Sequence, residues 1–200
     1  ALTAASHNVA VGRTALTANT TGSRSTAVGY ATLATQNFTT ATNSENTAVG
    51  YGAGNGITTG QYNTFVGSAS GDAVTDADEN VAVGYNSLST NTLGSRTVAI
   101  GTGALSVQNF TTATDSFNTA VGHFAGGAVT TGDSLTLIGS EAGDALTIGK
   151  NSVAVGKGAL GSDVAGKESV AVGNGALFAQ NFTTATNSFN VAVGSNAGAA

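Results

Sequence analysis

The chain has 200 residues, of which only 8% are charged, and it contains 29 glycines but no Pro, Cys, Met or Trp. Its 11 acidic and 6 basic residues give a net charge of −5, which argues against a nucleic-acid-binding surface because such surfaces need a basic stripe. The lack of Cys excludes disulfides and thiolate metal sites, and no apolar run approaches the roughly 20 residues of a membrane span.

A Val-Gly or Ile-Gly pair recurs along the whole chain and divides it into 17-residue and 21-residue units. Four consecutive units make a 72-residue block that itself repeats, so that Gly29, Gly101 and Gly173 are equivalent. The chain is therefore predicted to be a single repeat domain over residues 1–200, and a fragment of a longer fibrous protein because it opens and closes inside the pattern. The paired glycines are Gly12, Gly29, Gly50, Gly67, Gly84, Gly101, Gly122, Gly139, Gly156, Gly173 and Gly194.

Each unit follows the same order of residues. It opens on a slot that holds Asn in six units, continues with a short β pattern such as Thr47-Ala48-Val49, and reaches the glycine. A small residue follows three positions later, and the next position reads Leu, Leu, Gly, Gly along the chain. No 3.6-residue apolar period is present, which argues against helix. We predict that each unit forms one coil of a β-solenoid, with two short strands and two turns per coil.

The 21-residue units gain their four extra residues at one place. The segments read QNFTTATNSEN from Gln36, QNFTTATDSFN from Gln108 and QNFTTATNSFN from Gln180. Three near-identical segments, one in each 72-residue block, do not arise by chance, so we interpret them as surface loops placed every fourth coil.

Stacked coils are expected to place identical residues above one another, about 4.8 Å apart, so that eleven coils make a rod of roughly 50 Å. We expect ladders of Val/Ile and of Ala to fill the inside, and Asn ladders to share side-chain hydrogen bonds. The strand is apolar or small on both faces, with Val on one face and Ala with Thr or Val on the other. A strand of this kind is buried on both sides, and because the coil covers only one face, the pattern indicates a homo-oligomer.

The motif N-[ST]-[AV]-[VI]-G-x-x-[AS] resembles the repeat of YadA-like trimeric adhesin heads. The longer unit from Asn46 to Tyr62, NTAVGYGAGNGITTGQY, is more similar to the repeats of bacteriophage tail-fibre proteins, and all eleven units share the resemblance. It implies an all-β, left-handed parallel β-roll, a homotrimer, and an extracellular location on a virion or a bacterial cell surface. It also implies a role in host attachment. The adhesin unit is usually shorter and lacks the QNFTTAT insertion, which favours a phage tail fibre over an adhesin head.

Two sets of aromatic residues are candidate contacts with a receptor or with a neighbouring chain. One set lies in the insertions and is followed by pairs of Thr, so a protruding ring with hydroxyl neighbours could contact a host glycan or protein; its other interpretation is packing on its own coil or on another chain. The second set directly follows the paired glycines and could form a weak carbohydrate platform or a solvated turn. The two sets are Phe38, Phe110 and Phe182, and Tyr30, Tyr51 and Tyr85.

No catalytic, cofactor or metal site is expected, and we predict that the chain is not an enzyme. The acidic stretch Asp72 to Glu79 lacks the spacing of an EF-hand loop and the GGxGxD repeat of calcium-binding β-rolls. No G-x-S-x-G elbow occurs, and the repeat explains the glycine spacing of GYGAGNG from Gly50 to Gly56. Catalysis needs a unique convergent site, whereas nearly every position here is copied.

Two further solenoid functions fit the sequence less well. An ice-binding face needs flat ranks of Thr, but the Thr before Ala is replaced by Val in six units, for example at Val81. A polysaccharide-degrading β-helix has larger coils and a carboxylate cluster in a groove, which this sequence lacks. The C-terminus of the parent chain would separate the adhesin from the fibre, because a membrane-anchoring barrel indicates the former and a virion attachment module the latter.

Overall fold

The computed structural model describes residues 5–199, which form a parallel β-solenoid of eleven coils, with no helix in that range. Each coil contributes one three-residue strand, and these strands pair in parallel into one continuous sheet. The prediction of an all-β solenoid built from 17-residue and 21-residue coils is confirmed. The strands of this sheet are β1 (Val9–Val11), β3 (Thr26–Val28), β5 (Thr47–Val49), β6 (Thr64–Val66), β7 (Val81–Val83), β9 (Val98–Ile100), β11 (Thr119–Val121), β12 (Thr136–Ile138), β13 (Val153–Val155), β15 (Val170–Val172) and β17 (Val191–Val193).

Six two-residue strands form three small sheets beside the long coils. They pair as β2 (Gly22–Ser23) with β4 (Thr42–Asn43), β8 (Gly94–Ser95) with β10 (Thr114–Asp115), and β14 (Gly166–Lys167) with β16 (Thr186–Asn187). The prediction of two strands in every coil is therefore wrong for the other coils, where the second side consists of turns and bends. A second ladder needs an extended partner on the next coil, and the inserted residues supply one; in the described chain the other coils add only an isolated bridge between Lys150 and Lys167.

From β3 to β17, each strand of the main sheet buries its middle residue in the coil and directs its first and third residues outward, whereas all three residues of the edge strand β1 are exposed. The strands pair residue for residue, so that Ala82 lies between Phe65 and Ala99, and all three are 0% exposed. The third residues face solvent, as at Val49 and Ile100. The expectation that a Val/Ile ladder fills the inside is wrong, because residues two apart on a strand share a face, and the middle position is the one that points inward.

Four positions in every coil have a positive φ, and they shape the turns. The glycine of each Val/Ile-Gly pair, called here the ladder glycine, has φ between 128° and 143°. The residue five positions before it and the residues two and four positions after it have φ between 47° and 66°, as at Leu88 with φ 53°. Only the ladder position excludes a side chain outright, because a Cβ on Gly84 would lie 2.6 Å from the carbonyl oxygen of Gly101 in the next coil. Glycine is thus required where consecutive backbones approach closely.

The core keeps its volume through an exchange between two positions. Where the fourth residue after the ladder glycine is Leu, the middle residue of the strand is Ala, as in the pair Leu88 and Ala82. Where two consecutive coils have Gly54 and Gly71 instead, the ring of Phe65 fills the space beside both of them. In the next 72-residue block Leu137 fills the space beside the two equivalent glycines in the same way. The order Leu, Leu, Gly, Gly is therefore a packing rule with a period of four coils.

Asn side chains join consecutive coils at Asn46, Asn63 and Asn80, mainly by accepting from backbone N–H groups; of the side-chain bonds between asparagines that the sequence predicted, the described chain shows one, from Asn63 Nδ2 to Asn46 Oδ1 at 3.2 Å. The side-chain Oδ1 of Asn63 accepts from the backbone N–H of Asn80 at 3.0 Å, and Asn80 Oδ1 in turn accepts from the backbone N–H of Thr97 at 2.9 Å. Each Asn Nδ2 also donates across its coil, for example from Asn80 to the carbonyl oxygen of Gly94 at 3.0 Å. These amides are buried, so they satisfy backbone groups that water cannot reach.

Candidate functional site

The most prominent feature of the surface is an apolar stripe along the main sheet. It consists of the outward first and third residues of all eleven strands, and we call it the valine stripe. Its first rank mixes Val and Thr, and its second rank contains only Val and Ile. The two ranks are Val9, Thr26, Thr47, Thr64, Val81, Val98, Thr119, Thr136, Val153, Val170 and Val191, and Val11, Val28, Val49, Val66, Val83, Ile100, Val121, Ile138, Val155, Val172 and Val193.

The valine stripe is continuous and free of charge. At the spacing of paired strands it is about 50 Å long, and its two ranks lie about 7 Å apart, which gives roughly 350 Å² of surface between them. Side chains in its middle, such as Val66 and Ile138, are 37% and 39% exposed, and Val193 at its end is 70% exposed. Contiguous apolar patches of this size on soluble proteins commonly mark interaction sites. The sequence indicated a second apolar face; the structure identifies which residues form it.

The insertion-loop phenylalanines lie against their own chain. Phe38 and Phe110 are only 7% and 6% exposed, and their rings cover Gly22 and Gly94 of the preceding coil. A protruding aromatic contact is therefore wrong for these two residues, because a glycine in the coil below leaves a space that the ring fills. Phe182, in the last insertion, is half-buried, and its role as a contact stays a prediction.

The exposed aromatic residue of the insertion is a different one, which sequence reasoning missed. Phe117 and Phe189 stand next to last in the second and third insertions, and they are 56% and 66% exposed. The Arg96 guanidinium lies 5.8 Å from the centroid of the Phe117 ring. The equivalent residue of the first insertion is Glu45, and this change from acidic to aromatic between copies was the signal in the sequence that distinguished an outward position.

Each of the three insertions is closed by a hydrogen bond between its first and last side chains, and in the third Asn190 Nδ2 donates to Gln180 Oε1 at 2.7 Å. Asn46 Nδ2 donates to Gln36 Oε1 at 2.9 Å, and Asn118 Nδ2 donates to Gln108 Oε1 at 2.8 Å. The Gln108 Nε2 also donates to the Thr97 hydroxyl at 3.1 Å. Because Gln36 and Gln108 are completely buried, this clamp holds the insertion as one unit and leaves its Thr-rich tip exposed.

We expect the substitution Gln108→Leu to loosen the second insertion without unfolding the rod. It removes one of the two acceptors of Asn118 Nδ2, which still donates to the carbonyl oxygen of Gly132 at 2.8 Å. The buried N–H that loses its acceptor costs about 1–3 kcal/mol. Limited proteolysis followed by mass spectrometry should show cleavage within residues 109–117 at least several-fold faster than in the unmodified chain. The untouched insertions that start at Gln36 and Gln180 are internal controls, and equal cleavage of all three would contradict a clamping role.

The tyrosines after the ladder glycines form a short exposed column. Tyr30 and Tyr51 stack with ring centroids 5.1 Å apart and an interplanar angle of 12°, and the Arg13 guanidinium lies 5.9 Å from the Tyr30 centroid. Tyr51 and Tyr85 are 64% and 58% exposed, and the coil between them carries Ser68 at this position. The structure therefore places these tyrosines on the surface, and receptor contact stays a prediction for them.

The acidic stretch from Asp72 to Glu79 does not converge on one point. The hydroxyls of Thr58 and Thr59 donate to Asp76 and hold its pKa below the usual range. Asp78 accepts from a backbone N–H, and burial raises its pKa. Glu79 pairs with Arg96 at 3.2 Å. Among residues 5–199, no group of three potential metal-ligating side chains is close enough to hold an ion.

Comparison with known proteins gave no relative: no family model, no curated protein and no solved structure matches this chain. Within the described part of the chain, no helix is long and apolar enough to cross a membrane.

Proposed function

We propose that this chain is a structural and adhesive segment of an extracellular fibre, in which three copies associate lengthwise through the valine stripe. The observation that carries the proposal is the stripe itself, which continues over all eleven coils with outward Val, Ile and Thr and no charged residue. Covering it would remove apolar surface from water at about 25 cal/mol per Å². A repeated rod with no convergent catalytic group among its described residues fits a role in spacing and attachment.

The partner is a second and a third copy of the same chain. The side chains of the stripe repeat at the strand spacing of about 4.8 Å, and another copy presents the same period, so the contacts formed in one coil recur in every coil. Each chain has one such stripe, and a parallel threefold arrangement brings the three stripes to a common axis with equivalent coils at the same height. The resemblance to trimeric adhesin heads and tail-fibre repeats supports three copies rather than two.

The oligomeric state tests this proposal. Sedimentation equilibrium of the 200-residue chain at micromolar concentration should give three times the mass of one chain. A monomer would contradict the role of the stripe. A dimer would contradict the threefold arrangement while keeping the stripe as the interface.

For the parent molecule we favour a bacteriophage tail fibre that acts in host attachment, with the head of a bacterial trimeric autotransporter adhesin as the second candidate. The supporting feature is the 21-residue coil, whose clamped insertion has no counterpart in the shorter adhesin repeat. Purified virions or bacterial cells of the source can be labelled with antibody against this segment. Labelling of virion fibres supports the first assignment, and labelling of the cell surface supports the second.

The exposure of the valine stripe also favours a test for ice binding, because ice-binding faces are flat ranks of β-branched side chains. The first rank has Thr at five positions and Val at six, and the second rank has no hydroxyl. Hydroxyl groups are therefore interrupted along the first rank and absent from the second, and we expect no thermal hysteresis from the chain at millimolar concentration. Measurable hysteresis that disappears in Thr47→Asp would favour an ice-binding solenoid instead.

A further inference from the structure

One notch in the surface lies where the last 72-residue block differs in sequence from the block before it. It lies where two consecutive coils have glycine at the second position after the ladder glycine, at Gly158 and Gly175. The neighbouring coils carry Glu141 and Asn196 at this position, and these side chains form the two ends of the notch. The gap spans two coils, or about 10 Å, and the cavity has a volume of about 270 Å³.

The sides of the notch combine a ring with amides and charges. Phe178 forms one side: it is 49% exposed, and its ring packs over Gly161 of the preceding coil. Lys157 and Asn174, the residues directly after two ladder glycines, form the other side. Neither Lys157 nor Glu141 takes part in an ion pair within residues 5–199. The notch thus offers an open aromatic face together with charged groups that have no ionic partner in the described chain.

These residues mark a departure from the 72-residue block. The position of Gly158 is Asn86 in the preceding block, and the position of Phe178 is Ser106. Over the same interval the QNFTTAT segment is unchanged. In the preceding block the adjacent space is also closed, because the ring of Phe124 covers Gly103. The notch of the last 72-residue block is therefore filled by side chains in the preceding block.

The chemistry of the notch matches a sugar ring. A pyranose has an apolar C–H face that packs on an aromatic ring, and hydroxyls that both donate and accept, so one ligand can bond an ammonium, a carboxylate and two amides. Pockets of this kind orient a ligand with a few polar groups beside an apolar surface. An anionic ligand fits less well, because it would meet the negative charge of Glu141. Burial and this same charge together raise the pKa of the neighbouring Asp144.

We infer that this notch binds one neutral pyranose unit of a glycan, with the ring stacked on Phe178 and its hydroxyls bonded to Glu141, Lys157 and the two Asn side chains. The inference deepens the proposed attachment role and rests on it, since it names a ligand class, but the site is built from one chain and does not need the valine stripe. A single shallow site of this size gives weak affinity, on the order of 1 mM. Three sites in a trimer would raise the avidity for a surface glycan.

Saturation-transfer NMR tests the inference directly. The chain is mixed in turn with methyl α-mannopyranoside, methyl α-glucopyranoside, methyl β-galactopyranoside and methyl N-acetyl-β-glucosaminide, each at several millimolar. We expect saturation transfer to at least one of them, strongest at the ring protons of one face. No transfer to any of the four would overturn the inference.

Two substitutions introduce the residue found at the same position of the preceding 72-residue block. One fills the notch, and the other removes its aromatic side chain. Gly158→Asn fills it; φ there is 63°, and Asn86 holds the same position with φ 53°, while an added Cβ meets Phe178 at an ordinary 3.6 Å. Phe178→Ser removes the ring. We expect both variants to reduce the saturation-transfer signal at least five-fold, and unchanged signals would overturn the assignment to this notch.

Gly52→Asn is the matched control. Gly52 occupies the same position in another coil with φ 66°, and a Cβ there meets nothing within 4 Å. This variant should bind the glycosides as the unmodified chain does, and equal loss in Gly52→Asn would contradict a local effect. Sedimentation of the same samples separates the two proposals, because the notch variants should keep the oligomeric state whether or not they bind sugar.

Discussion

Replacing Ala120 by Asp is expected to unfold the coil around β11, whereas Asp at the neighbouring Val121 should leave the solenoid folded and separate the copies. Ala120 is completely buried and lies between Ala99 and Leu137 in the sheet. A carboxylate there has no cationic or hydrogen-bonding partner, and burying one costs several kcal/mol. Val121 is only half-buried in the single chain, so an Asp there faces water until other copies approach.

Two measurements separate these effects. Ala120→Asp should lower the thermal midpoint of the β-sheet circular-dichroism signal by roughly 10 °C or more, on the scale of about 2–4 °C per kcal/mol for a chain of this size. Val121→Asp should change the sedimenting species from trimer to monomer at micromolar concentration while retaining that signal. Val121→Thr, which keeps a β-branched side chain, is the control and should remain a trimer.

The outcomes also test the direction of each side chain. The expectation of a Val/Ile ladder inside the coil makes Val121 the position sensitive to a carboxylate; the structure moves this sensitivity to Ala120. If Val121→Asp abolished the sheet signal in a chain already shown to be monomeric, the conclusion that Val121 points away from the coil would be wrong. If Val121→Asp remained a trimer, the valine stripe would not be the interface.

The repeat made the coil predictable, because a fixed spacing determines which residues stack. The 17-residue and 21-residue units align every ladder glycine, and the pairing of Ala27 with Ala48 has the register that this spacing implies. Which side chains point into the coil was harder to predict from the sequence. Both Val and Ala are compatible with a buried ladder, and only the width of the coil decides that the small residue points inward. The period-two rule contained the remaining information, since it places Thr47 and Val49 on one face.

The packing inside the coils could not be predicted from the order of residues alone. Gln36 closes an insertion through Asn46, ten residues later, and bonds Ser25, eleven residues earlier. The local sequence does not identify Ser25 as a partner, because it meets Gln36 only when a 17-residue coil and a 21-residue coil are stacked. Burial of Phe38 depends in the same way on Gly22, in the coil below. Of the two interpretations that the sequence allowed for Phe38, protrusion and packing on its own chain, the stacked coils therefore give the second.

The candidate sugar notch was hidden for a different reason. Sequence reasoning excluded a unique site because nearly every position is copied, and the copying is indeed close in the insertions. The signal was present in VGKGA and VGNGA, where the second residue after the ladder glycine is Gly in two consecutive units. In a solenoid such neighbours lie one coil apart, so two small residues produce a gap that neither would produce alone.

The second large expected effect is on stability and concerns Phe65, whose ring fills the space that the glycines around it leave. Phe65→Ala should lower stability by about 3–5 kcal/mol, because Gly54 and Gly71 leave the resulting cavity without side chains to fill it. Gly71→Leu alone should also destabilise, since a Cβ at this position lies 2.6 Å from the Phe65 ring. The double variant, however, reproduces the Ala82 and Leu88 arrangement of the next coil, with a backbone that already has φ 58° at residue 71 and 53° at Leu88.

We therefore expect the double variant Phe65→Ala/Gly71→Leu to be more stable than either single variant, as judged by the midpoint of urea unfolding. Recovery should be partial, because the space beside Gly54 is still empty. Phe65→Leu is the matched control: Leu137 holds the equivalent place in the next 72-residue block, so this change should cost much less than Phe65→Ala. Because residues in direct contact couple and independent ones do not, simple addition of the two single effects would show that the Leu, Leu, Gly, Gly order is not a volume exchange.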